Sequence, residues 1–476
     1  MNTFLGIDIG TTKIKLLVLS QEGEILFKRT MDVFPRFGEN GVVEINPYLW
    51  IKAVVDLSKE LNLSDVKTIG LSGQMHTLVL IDKKYTPTRN AIVWADSRGK
   101  EEEKFLNENF GNEILTRCGS IPTTSFTLTK LFYLLKHNEL SRETYKFCLP
   151  KDFVGGWLTG NFDTDRTDAS ATLMYDIEKN DWNFDLTEKL GIEKFLFPNV
   201  RHSLEIRGYL KKEKAELLGM KEGIPIIYGS GDQEAAAYGS GIVEPTEVMI
   251  SLSTGGQIVI PVEKPILDPR IHNFCHINGF HIMGAIQNFG LTLNWVIEVF
   301  GFQNFDELTS EALKSVAGAN GITFLPYIVP ERTPIMNSNI ASYLIDLKAI
   351  NSRSDIARAM LEGVSFAVID AWHVLNNIVT LENPFIVILG GASQNKIIKE
   401  IIFSFLKGTI NVFDNEFDSS CYGAALMAGE NFGVFASKKK YGHKFIKESF
   451  FRDNDNNEYI KFFSRFLDTR KRILGI

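Results

Sequence analysis

The segment that decides the fold is "FLGIDIGTTKIKLLVLS", residues 4–20. Its two β-rich runs flank a short Gly-Thr-Thr turn, and a third run, "EILFKRTMDV" (24–33), follows after "QEGE". Apolar residues at helical spacing occupy 50–62, and "VKTIGLSGQ" (66–74) returns to a strand pattern. The chain is therefore predicted to begin with three antiparallel strands, a helix and a further strand.

A similar arrangement recurs later in the chain. The segment "EVMISLSTGGQIVIPV" (247–262) again reads strand, Thr/Gly turn, strand, and alignment of the turns places Thr254 over Thr11 and Ser251 over Asp8. The second copy keeps the turn and lacks the carboxylate. A chance match of two short turns is the alternative. We predict an α/β fold of two ribonuclease-H-like domains of the actin/hexokinase ATPase type, which flank a central cleft. The predicted bounds are 1–243, 244–432 and a C-terminal helical tail, 433–476.

Composition and charge exclude several classes of protein. The chain has 476 residues, a net charge of −7 and 44% hydrophobic residues, which suits large globular cores and argues against a nucleic-acid surface. The basic cluster at 437–447 is expected to be a solvated face. Four scattered cysteines are typical of reduced thiols, the N-terminus has no basic leader, and no apolar run is long enough to cross a bilayer. We expect a cytoplasmic protein without membrane or nucleic-acid partners.

The Gly-Thr-Thr turn has the features of a phosphate site. Its backbone N–H groups and hydroxyls can bind phosphate oxygens, and Asp8, directly before it, can hold Mg²⁺ through water. An ordinary hairpin capped by Asp8 is about as good an explanation of this turn alone. The second turn, "SLSTGG" (251–256), favours the phosphate interpretation because two such turns can enclose phosphates from both domains.

Two glycine-rich segments lie further along the chain. "LGGASQN" (389–395) joins an apolar strand to a helix, so its backbone can approach a flat ligand such as adenine. Glycine is common in such turns, which makes this signal weak alone. "YGAALMAG" (422–429) gives a helix a face of small residues, for which close packing is a sufficient explanation.

Polar residues at a break between two strands suggest a sugar site. "GLSGQMHTLVLID" (70–82) places Gln74, Met75 and His76 at that break, although a lone histidine more often has a structural role. "AIVWADSR" (91–98) adds Trp94 and Asp96, an aromatic face beside a carboxylate. Such a pair can pack against sugar C–H groups and bind hydroxyls.

The segment "HNFCHINGFHIMG" (272–284) contains histidines and a cysteine that could suggest a metal site. Its pattern is that of two strands around an Asn-Gly turn, in which the four side chains would not converge. We predict a structural hairpin.

Asp232 is the candidate catalytic group. "IPIIYGSGD" (224–232) predicts a strand that ends in a glycine turn, and "QEAAAYG" (233–239) begins a helix. The helix dipole would favour the ionised carboxylate, which is a weak base. Phosphoryl transfer needs only late proton removal from the acceptor hydroxyl, so a weak and well-placed base suffices.

These segments together resemble the FGGY carbohydrate kinases, with the greatest likeness to the xylulokinase branch. The resemblance runs nearly end to end and rests on nine motifs in the family order: "GIDIGTT", "SGQMH", "LPKDFVGGWLTGNFDTDRTDASAT", "GSGDQ", "SLSTGGQ", "HNFCH", "FLPYIVPERTP", "LGGAS" and "GAALMAG". The chain departs from the branch where Trp-Asn-Asp becomes Trp94-Ala95-Asp96 and where Thr77 replaces a glycine after His76. Both changes bear on the identity of the sugar.

The resemblance implies ATP, Mg²⁺ and a sugar as ligands and a homodimer by analogy. It implies Asp232 as the general base and Asp8 and Asp232 as metal ligands. The implied phosphate contacts are Gly10, Thr11, Thr12, Lys13, Thr254 and Gly255, and the implied nucleotide contacts are Gly390, Gly391, Ala392 and Asn395. The implied sugar contacts are Gln74, Met75, His76, Trp94 and Asp96. The implied reaction converts D-xylulose to D-xylulose 5-phosphate. Gluconate, L-ribulose or glycerol are alternative acceptors, and a non-kinase actin-like ATPase switch or a degenerate sugar sensor are alternatives of other classes.

Overall fold

The computed structural model describes residues 1–414, 417–435, 441–453 and 457–476. Its first lobe is built on a mixed sheet with helices on both faces. The elements of this lobe are β1 (Thr3–Ile9), β2 (Lys13–Ser20), β3 (Ile25–Asp32), β4 (Arg36–Phe37), β5 (Val43–Ile45), α1 (Tyr48–Ser58), β6 (Val66–Gly73), β7 (Val79–Ile81), β8 (Ala91–Ile92), α2 (Lys100–Cys118), α3 (Thr127–Lys136), β9 (Lys146–Cys148), α4 (Pro150–Thr159), β10 (Thr164–Asp165), α5 (Arg166–Ser170), β11 (Tyr175–Asp176), β12 (Asp181–Trp182), α6 (Phe184–Lys189), β13 (Val200–Arg201), β14 (Ile206–Tyr209), α7 (Lys212–Leu218), β15 (Pro225–Ile227), β16 (Ser230–Gly231) and α8 (Asp232–Gly239).

The main sheet of the first lobe has the order β14-β15-β6-β1-β2-β3, and β16 also pairs with β6. β1 and β2 form the predicted antiparallel hairpin, whereas β6 runs parallel to β1. Every residue of β1 is buried, because helices cover both faces of this central strand. The predicted order of three strands, a helix and a strand is confirmed, with the short strands β4 and β5 inserted before α1.

The second lobe repeats this topology. Its elements are β17 (Glu247–Leu252), β18 (Gly256–Val262), β19 (His272–Cys275), β20 (Phe280–Ile286), α9 (Gly290–Val299), α10 (Phe305–Ala312), β21 (Thr323–Leu325), β22 (Tyr343–Ile345), α11 (Arg353–Val379), β23 (Phe385–Leu389), α12 (Lys396–Phe405), β24 (Gly408–Phe413), α13 (Ser419–Asn431), β25 (Ile446–Arg452) and α14 (Ile460–Leu474).

The order of the second sheet is β19-β20-β18-β17-β23-β24-β25. β17 pairs antiparallel with β18 and parallel with β23, just as β1 pairs with β2 and β6. The predicted echo is therefore a duplicated core and not a chance match. β19 and β20 form the predicted antiparallel hairpin, and the described residues contain no cluster of three or more histidine, cysteine or acidic side chains that could hold a metal ion.

Helix α13 belongs to the second half of the chain but packs against β1, β6 and α8 of the first lobe. Its small residues permit this approach, as the sequence predicts. A β-carbon at Gly70 of β6 would lie 1.9 Å from the carbonyl oxygen of Ala424, so the strand and the helix are in backbone contact there. Residues of α13, α8 and β2 share one apolar core, and α13 thereby fixes the second lobe to the first.

The predicted C-terminal helical tail, 433–476, contains a strand before its helix. β25 pairs antiparallel with β24 and extends the second sheet, and only then does the tail form α14. Phe463 and Phe466 of α14 are buried in the core of the second lobe, so the tail is an integral part of that lobe. Part of the basic cluster, 437–440, lies outside the described residues. Within the described ranges, no helix combines the length and hydropathy that a membrane crossing requires.

Candidate active site

Strand register brings Asp8 and Asp232 to the same edge of the first sheet. Asp8 lies opposite Ser72 of β6, and Ser72 lies opposite Ser230 of β16. All three strands are parallel, so their carboxyl ends meet at one edge. Asp232 follows directly after β16 as the first residue of α8. Two carboxylates that are 224 positions apart in the sequence therefore meet at one sheet edge, where α/β proteins commonly bind ligands.

Asp8 is buried and held by three partners. Its Oδ1 accepts a hydrogen bond from Ser72 Oγ at 2.9 Å, and its Oδ2 accepts one from Ser420 Oγ of α13 at 2.7 Å. Lys15 Nζ lies 3.2 Å from Asp8 Oδ2 and 3.0 Å from Asp418 Oδ1. Burial opposes the charge of Lys15, but the two carboxylates outweigh it and raise the pKa of Lys15 above its ordinary value. Lys15 is therefore a fixed cation at this edge.

The environment of Asp232 overturns one expectation. Burial, with the neighbouring charge of Asp8 as the second cause, raises the pKa of Asp232 to about 7, although Lys15 acts in the opposite direction. The helix dipole alone predicts a lowered value, but desolvation and a like charge are the larger effects here. A carboxylate with a pKa near neutrality is a better proton acceptor than an ordinary one.

The backbone before Asp232 is fixed by a buried network. Gly231 N donates a 2.9 Å hydrogen bond to Thr167 Oγ1 in α5. Asp165 caps α5 by accepting from Thr167 N, and it pairs with Lys151 at 2.9 Å. Lys151 is fully buried and also lies 2.8 Å from Asp152. The "LPKD" motif thus supports the segment that carries Asp232.

The Gly-Thr-Thr turn is tight and is joined to the predicted sugar side. Gly10 N donates to Lys13 O at 3.0 Å, which closes the turn, and Thr12 and Lys13 are exposed. Thr11 Oγ1 accepts from Trp94 Nε1 at 2.8 Å and donates to Gln74 Oε1 at 3.3 Å. The predicted phosphate and sugar residues therefore belong to one hydrogen-bonded group.

His76 has a strained backbone and a defined tautomer. Its φ angle is +65°, a conformation that is uncommon outside glycine. Its Nδ1 lies 2.6 Å from Ala171 O, and since a carbonyl can only accept, Nδ1 carries the proton and leaves Nε2 as an acceptor. Burial, reinforced by the charges of Arg332 and Lys130, holds the pKa of His76 well below its ordinary value. A neutral imidazole that accepts at Nε2 can bind a sugar hydroxyl. Met75 is buried beside it.

Asp96 is occupied by protein groups. Arg98 Nε lies 3.0 Å from both carboxylate oxygens, and Val43 N donates to Oδ2 at 2.7 Å. Asp96 therefore fixes the strand ends and Arg98 in place. These hydrogen bonds give Asp96 a structural role, and its predicted contact with the sugar stays a prediction.

The second lobe supplies an exposed turn and an open glycine segment. Thr254 is exposed, and Leu291 N at the start of α9 donates to its carbonyl oxygen at 2.8 Å. Gly255 follows Thr254 and is partly buried. Gly390 has a φ of +92°, and a β-carbon there would lie 2.3 Å from Leu252 O.

The segment from Gly391 to Asn395 divides into an open part and a structural part. A β-carbon at Gly391 would have no neighbour within 4 Å, and Ala392 next to it is half-buried. Asn395 caps α12 by accepting from Ile397 N at 3.0 Å, and its Nδ2 donates to Thr309 Oγ1 at 2.6 Å. The open part can accept a ligand, whereas Asn395 holds the helix, and its predicted nucleotide contact stays a prediction.

Sequence reasoning missed Lys15, Ser72, Asp418 and Ser420. A signal for Lys15 was present, because closing the hairpin around the Gly-Thr-Thr turn pairs Lys15 with Asp8 across the two strands. Ser420 gave no signal, since it lies 412 positions from Asp8 and reaches it only through the packing of α13.

Comparison with known proteins supports the same interpretation. The family model for the N-terminal domain of the FGGY family of carbohydrate kinases matches residues 3–239, and the model for the C-terminal domain matches residues 248–431. The chain belongs to the FGGY family of carbohydrate kinases. Its substrates as such a kinase are ATP and a sugar.

Individual relatives of this FGGY kinase span nearly its full length. It is 30% identical over 436 residues to a xylulose kinase from Staphylococcus xylosus, a match that covers 89% of this chain and 90% of the relative. The solved structure of ligand-bound xylulose kinase from Lactobacillus acidophilus has a TM-score of 0.91 at 23% identity and covers 100% and 99% of the two chains. A gluconate kinase from Lactobacillus acidophilus has a TM-score of 0.90 at 23% identity and covers 99% and 98%. The likeness to these structures shows the fold, namely the two-domain actin/hexokinase-like ATPase fold.

Proposed function

We propose that this FGGY kinase transfers the γ-phosphate of ATP to D-xylulose and forms D-xylulose 5-phosphate, with Asp232 as the general base. The observation that carries the proposal is the position of Asp232, at the sheet edge beside Asp8 and with a pKa raised to about 7. The choice of sugar rests on the similarity to xylulose kinases at 30% identity over most of both chains.

In the proposed reaction, the terminal hydroxyl of the open-chain ketose lies against Asp232. The carboxylate accepts the hydroxyl proton as the O–P bond forms, while the bond from the γ-phosphorus to the bridging oxygen of ADP breaks. The transition state is loose, so positioning and charge stabilisation contribute more than the strength of the base. A base whose pKa lies near the working pH is suited to accept that proton and release it after each turnover.

Asp8 and Asp232 fit a magnesium site. Mg²⁺ prefers oxygen ligands and is usually bound by one or two carboxylates together with water and phosphate. The charge of Asp8 raises the pKa of Asp232, and a divalent cation near both would relieve this repulsion. When bound there, Mg²⁺ neutralises charge on the β- and γ-phosphate oxygens. Lys15, held between Asp8 and Asp418, pairs with Asp8 and holds it in position.

The two Thr/Gly turns would bind the phosphates from opposite lobes. Thr11 and Thr12 face them from the first lobe, with Gly10 and Lys13 in the same turn, and Thr254 and Gly255 from the second. The open backbone at Gly390, Gly391 and Ala392 would lie along the nucleotide.

On the sugar side, His76 Nε2 would accept a hydroxyl hydrogen bond, and Met75 and Trp94 would provide apolar contact. Gln74 accepts hydrogen bonds from Thr11 and Thr77, and these bonds connect the sugar contacts to the phosphate turn. Closure of the two lobes would exclude water and limit ATP hydrolysis in the absence of sugar.

A panel of acceptors tests the proposed substrate. ADP release would be measured with D-xylulose, L-ribulose, gluconate and glycerol, each with and without Mg²⁺. The proposal predicts the highest kcat/KM for D-xylulose and a requirement for the metal. An equal or higher kcat/KM for another acceptor would overturn the choice of sugar and leave the kinase family intact.

A further inference from the structure

A buried cluster of polar side chains packs against the Phe126 ring next to His76. The His76 ring lies 4.8 Å from the Phe126 ring, and the His272 ring lies 5.6 Å from it. The Arg332 guanidinium lies 6.0 Å from the centre of the same ring. His76 and Phe126 belong to the first lobe, whereas His272 and Arg332 belong to the second, so this cluster joins the two lobes.

Two atoms of the cluster lack protein partners. Arg332 is 8% exposed and His272 is fully buried. Neither Arg332 Nη2 nor His272 Nε2 has a hydrogen-bond partner among the residues that the structure describes. Buried polar atoms are nearly always paired, and an unpaired one destabilises a protein unless a ligand or water completes it. Two such atoms lie near His76, the proposed sugar contact, and both are available to bind a polar ligand or water.

The remainder of Arg332 is firmly held. Its backbone N donates to Glu331 Oε1 at 2.8 Å, and with the Gln287 amide oriented to satisfy both of its atoms, Gln287 accepts from Arg332 Nε at 3.1 Å. Thr333 N donates to Ala285 O at 2.9 Å, which fixes the loop to β20. The free Nη2 is thus presented by a rigid support, as a recognition group requires.

A chain of contacts leads from the proposed base to this cluster. A β-carbon at Gly231, next to Asp232, would lie 2.9 Å from Met75 Cγ, and Met75 precedes His76. His76 in turn contacts Phe126. Met75 and His76 therefore connect the segment that carries Asp232 to this cluster.

We propose that Arg332 determines sugar specificity by donating a hydrogen bond from Nη2 to the C2 carbonyl oxygen of the ketose, with His272 Nε2 beside it at the C1 hydroxyl. This inference rests on the proposed function, since it takes the terminal hydroxyl of a ketose to lie at Asp232. A guanidinium has only donors and a ketone oxygen only accepts, so the two are complementary. Burial lowers the pKa of Arg332 to about 10, with Glu331 and Glu103 acting in the opposite direction, so Arg332 stays charged at neutral pH.

The test compares Arg332→Met with wild type on two acceptors that differ by one oxygen. The acceptors are D-xylulose and the matching tetrol in which the C2 carbonyl is a methylene, assayed by turnover or as a competitive inhibitor. Arg332→Met should raise the KM for D-xylulose roughly ten- to a hundredfold, the range for a lost hydrogen bond to a charged group. The constants for the tetrol and for ATP should change less than about twofold. Arg332→Lys, which keeps a charge and loses the planar fork, should give an intermediate KM.

Arg166→Met is the matched control. Arg166 also lies over an aromatic ring of the other lobe, Phe280, at 5.7 Å, and its Nη2 donates to Gly279 O. This variant loses a comparable contact between lobes and should leave the preference for the ketose unchanged.

Two results would overturn the proposed role of Arg332. One is an equal loss on the ketose and the tetrol, which would indicate a purely structural side chain, and the other is no loss at all. Failure of the wild-type enzyme to prefer D-xylulose would instead count against the proposed substrate. If L-ribulose were the best acceptor, its 2-deoxy counterpart would decide the role of Arg332 in the same way, and a best acceptor without a C2 carbonyl would overturn that role.

Discussion

Replacement of Lys151 by methionine should destabilise the first lobe more than the loss of any surface ion pair. Lys151 Nζ lies 2.8 Å from Asp152, 2.9 Å from Asp165 and 3.2 Å from Asp168, and all these side chains are fully buried. Arg207 also pairs with Asp152. Methionine fills a similar volume but leaves the carboxylates without their shared cation.

The expected loss of stability depends on which of these carboxylates are charged. Burial raises the pKa of Asp168 well above its ordinary value, which favours its neutral form. Lys151 and the hydrogen bonds to Asp165 outweigh burial and lower the pKa of Asp165. The variant therefore leaves the ionised Asp165 buried without its cation. Removal of one partner of a buried pair costs about 3–5 kcal/mol. The unfolding entropy of a 476-residue chain is about 1 kcal/mol per degree, so a cooperative transition should shift by about 3–5 °C.

The assay is thermal unfolding of Lys151→Met beside Lys189→Met. Lys189 forms an exposed ion pair with Glu113 at 2.9 Å, and such surface pairs contribute about 0–1 kcal/mol. The control should therefore shift the Tm by at most about 1 °C. A Tm for Lys151→Met within 1 °C of the control would refute the reasoning about the buried cluster.

Further predictions concern the glycine turn and the buried histidines. Gly390→Ala should lower the Tm and weaken ADP binding, because the φ angle of Gly390 is positive and a β-carbon there would overlap a neighbouring carbonyl oxygen. Gly391→Ala is the control, since a β-carbon there has no close neighbour. It should change the free energy of unfolding by less than about 1 kcal/mol, as measured by denaturant titration. Burial, with the charge of His276 as a second cause, holds the pKa of His281 well below its ordinary value. The unfolded chain therefore binds a proton that the folded protein excludes, and stability from His281 is lost as the pH falls below about 6.5. Between pH 6.5 and 5, wild type should lose up to about 1.4 kcal/mol per pH unit relative to His281→Gln, and parallel stability curves for the two proteins would contradict this.

The duplicated core was predictable from sequence because its signal is local. A strand, a Thr/Gly turn and a second strand specify a hairpin, and the repeat of that pattern around Thr11 and Thr254 identifies two related lobes. The strand in the tail was missed for the opposite reason, since β25 becomes a strand by pairing with β24. Its own pattern does not reveal that partner.

The site residues also differ in whether their signal is local in the sequence or depends on the tertiary structure. The position of Asp232 at the start of a helix follows from the turn before it, but its pKa depends on burial and on Asp8, which only the tertiary structure brings close. Ser420 and Arg332 come from distant parts of the chain and are recognisable only in three dimensions. Asp96 looked available for sugar because sequence does not show Arg98 folded back onto it.

The most direct test of the central claim is the single-turnover rate of Asp232→Asn with ATP and the best acceptor. Asparagine keeps the shape of the side chain and cannot accept the hydroxyl proton. A general base contributes about a hundred- to ten-thousandfold to a rate, so phosphoryl transfer should fall by that factor while the Kd for ADP stays within about twofold. Phosphoryl transfer by Asp232→Asn at more than a tenth of the wild-type rate would contradict the assignment of Asp232 as the base.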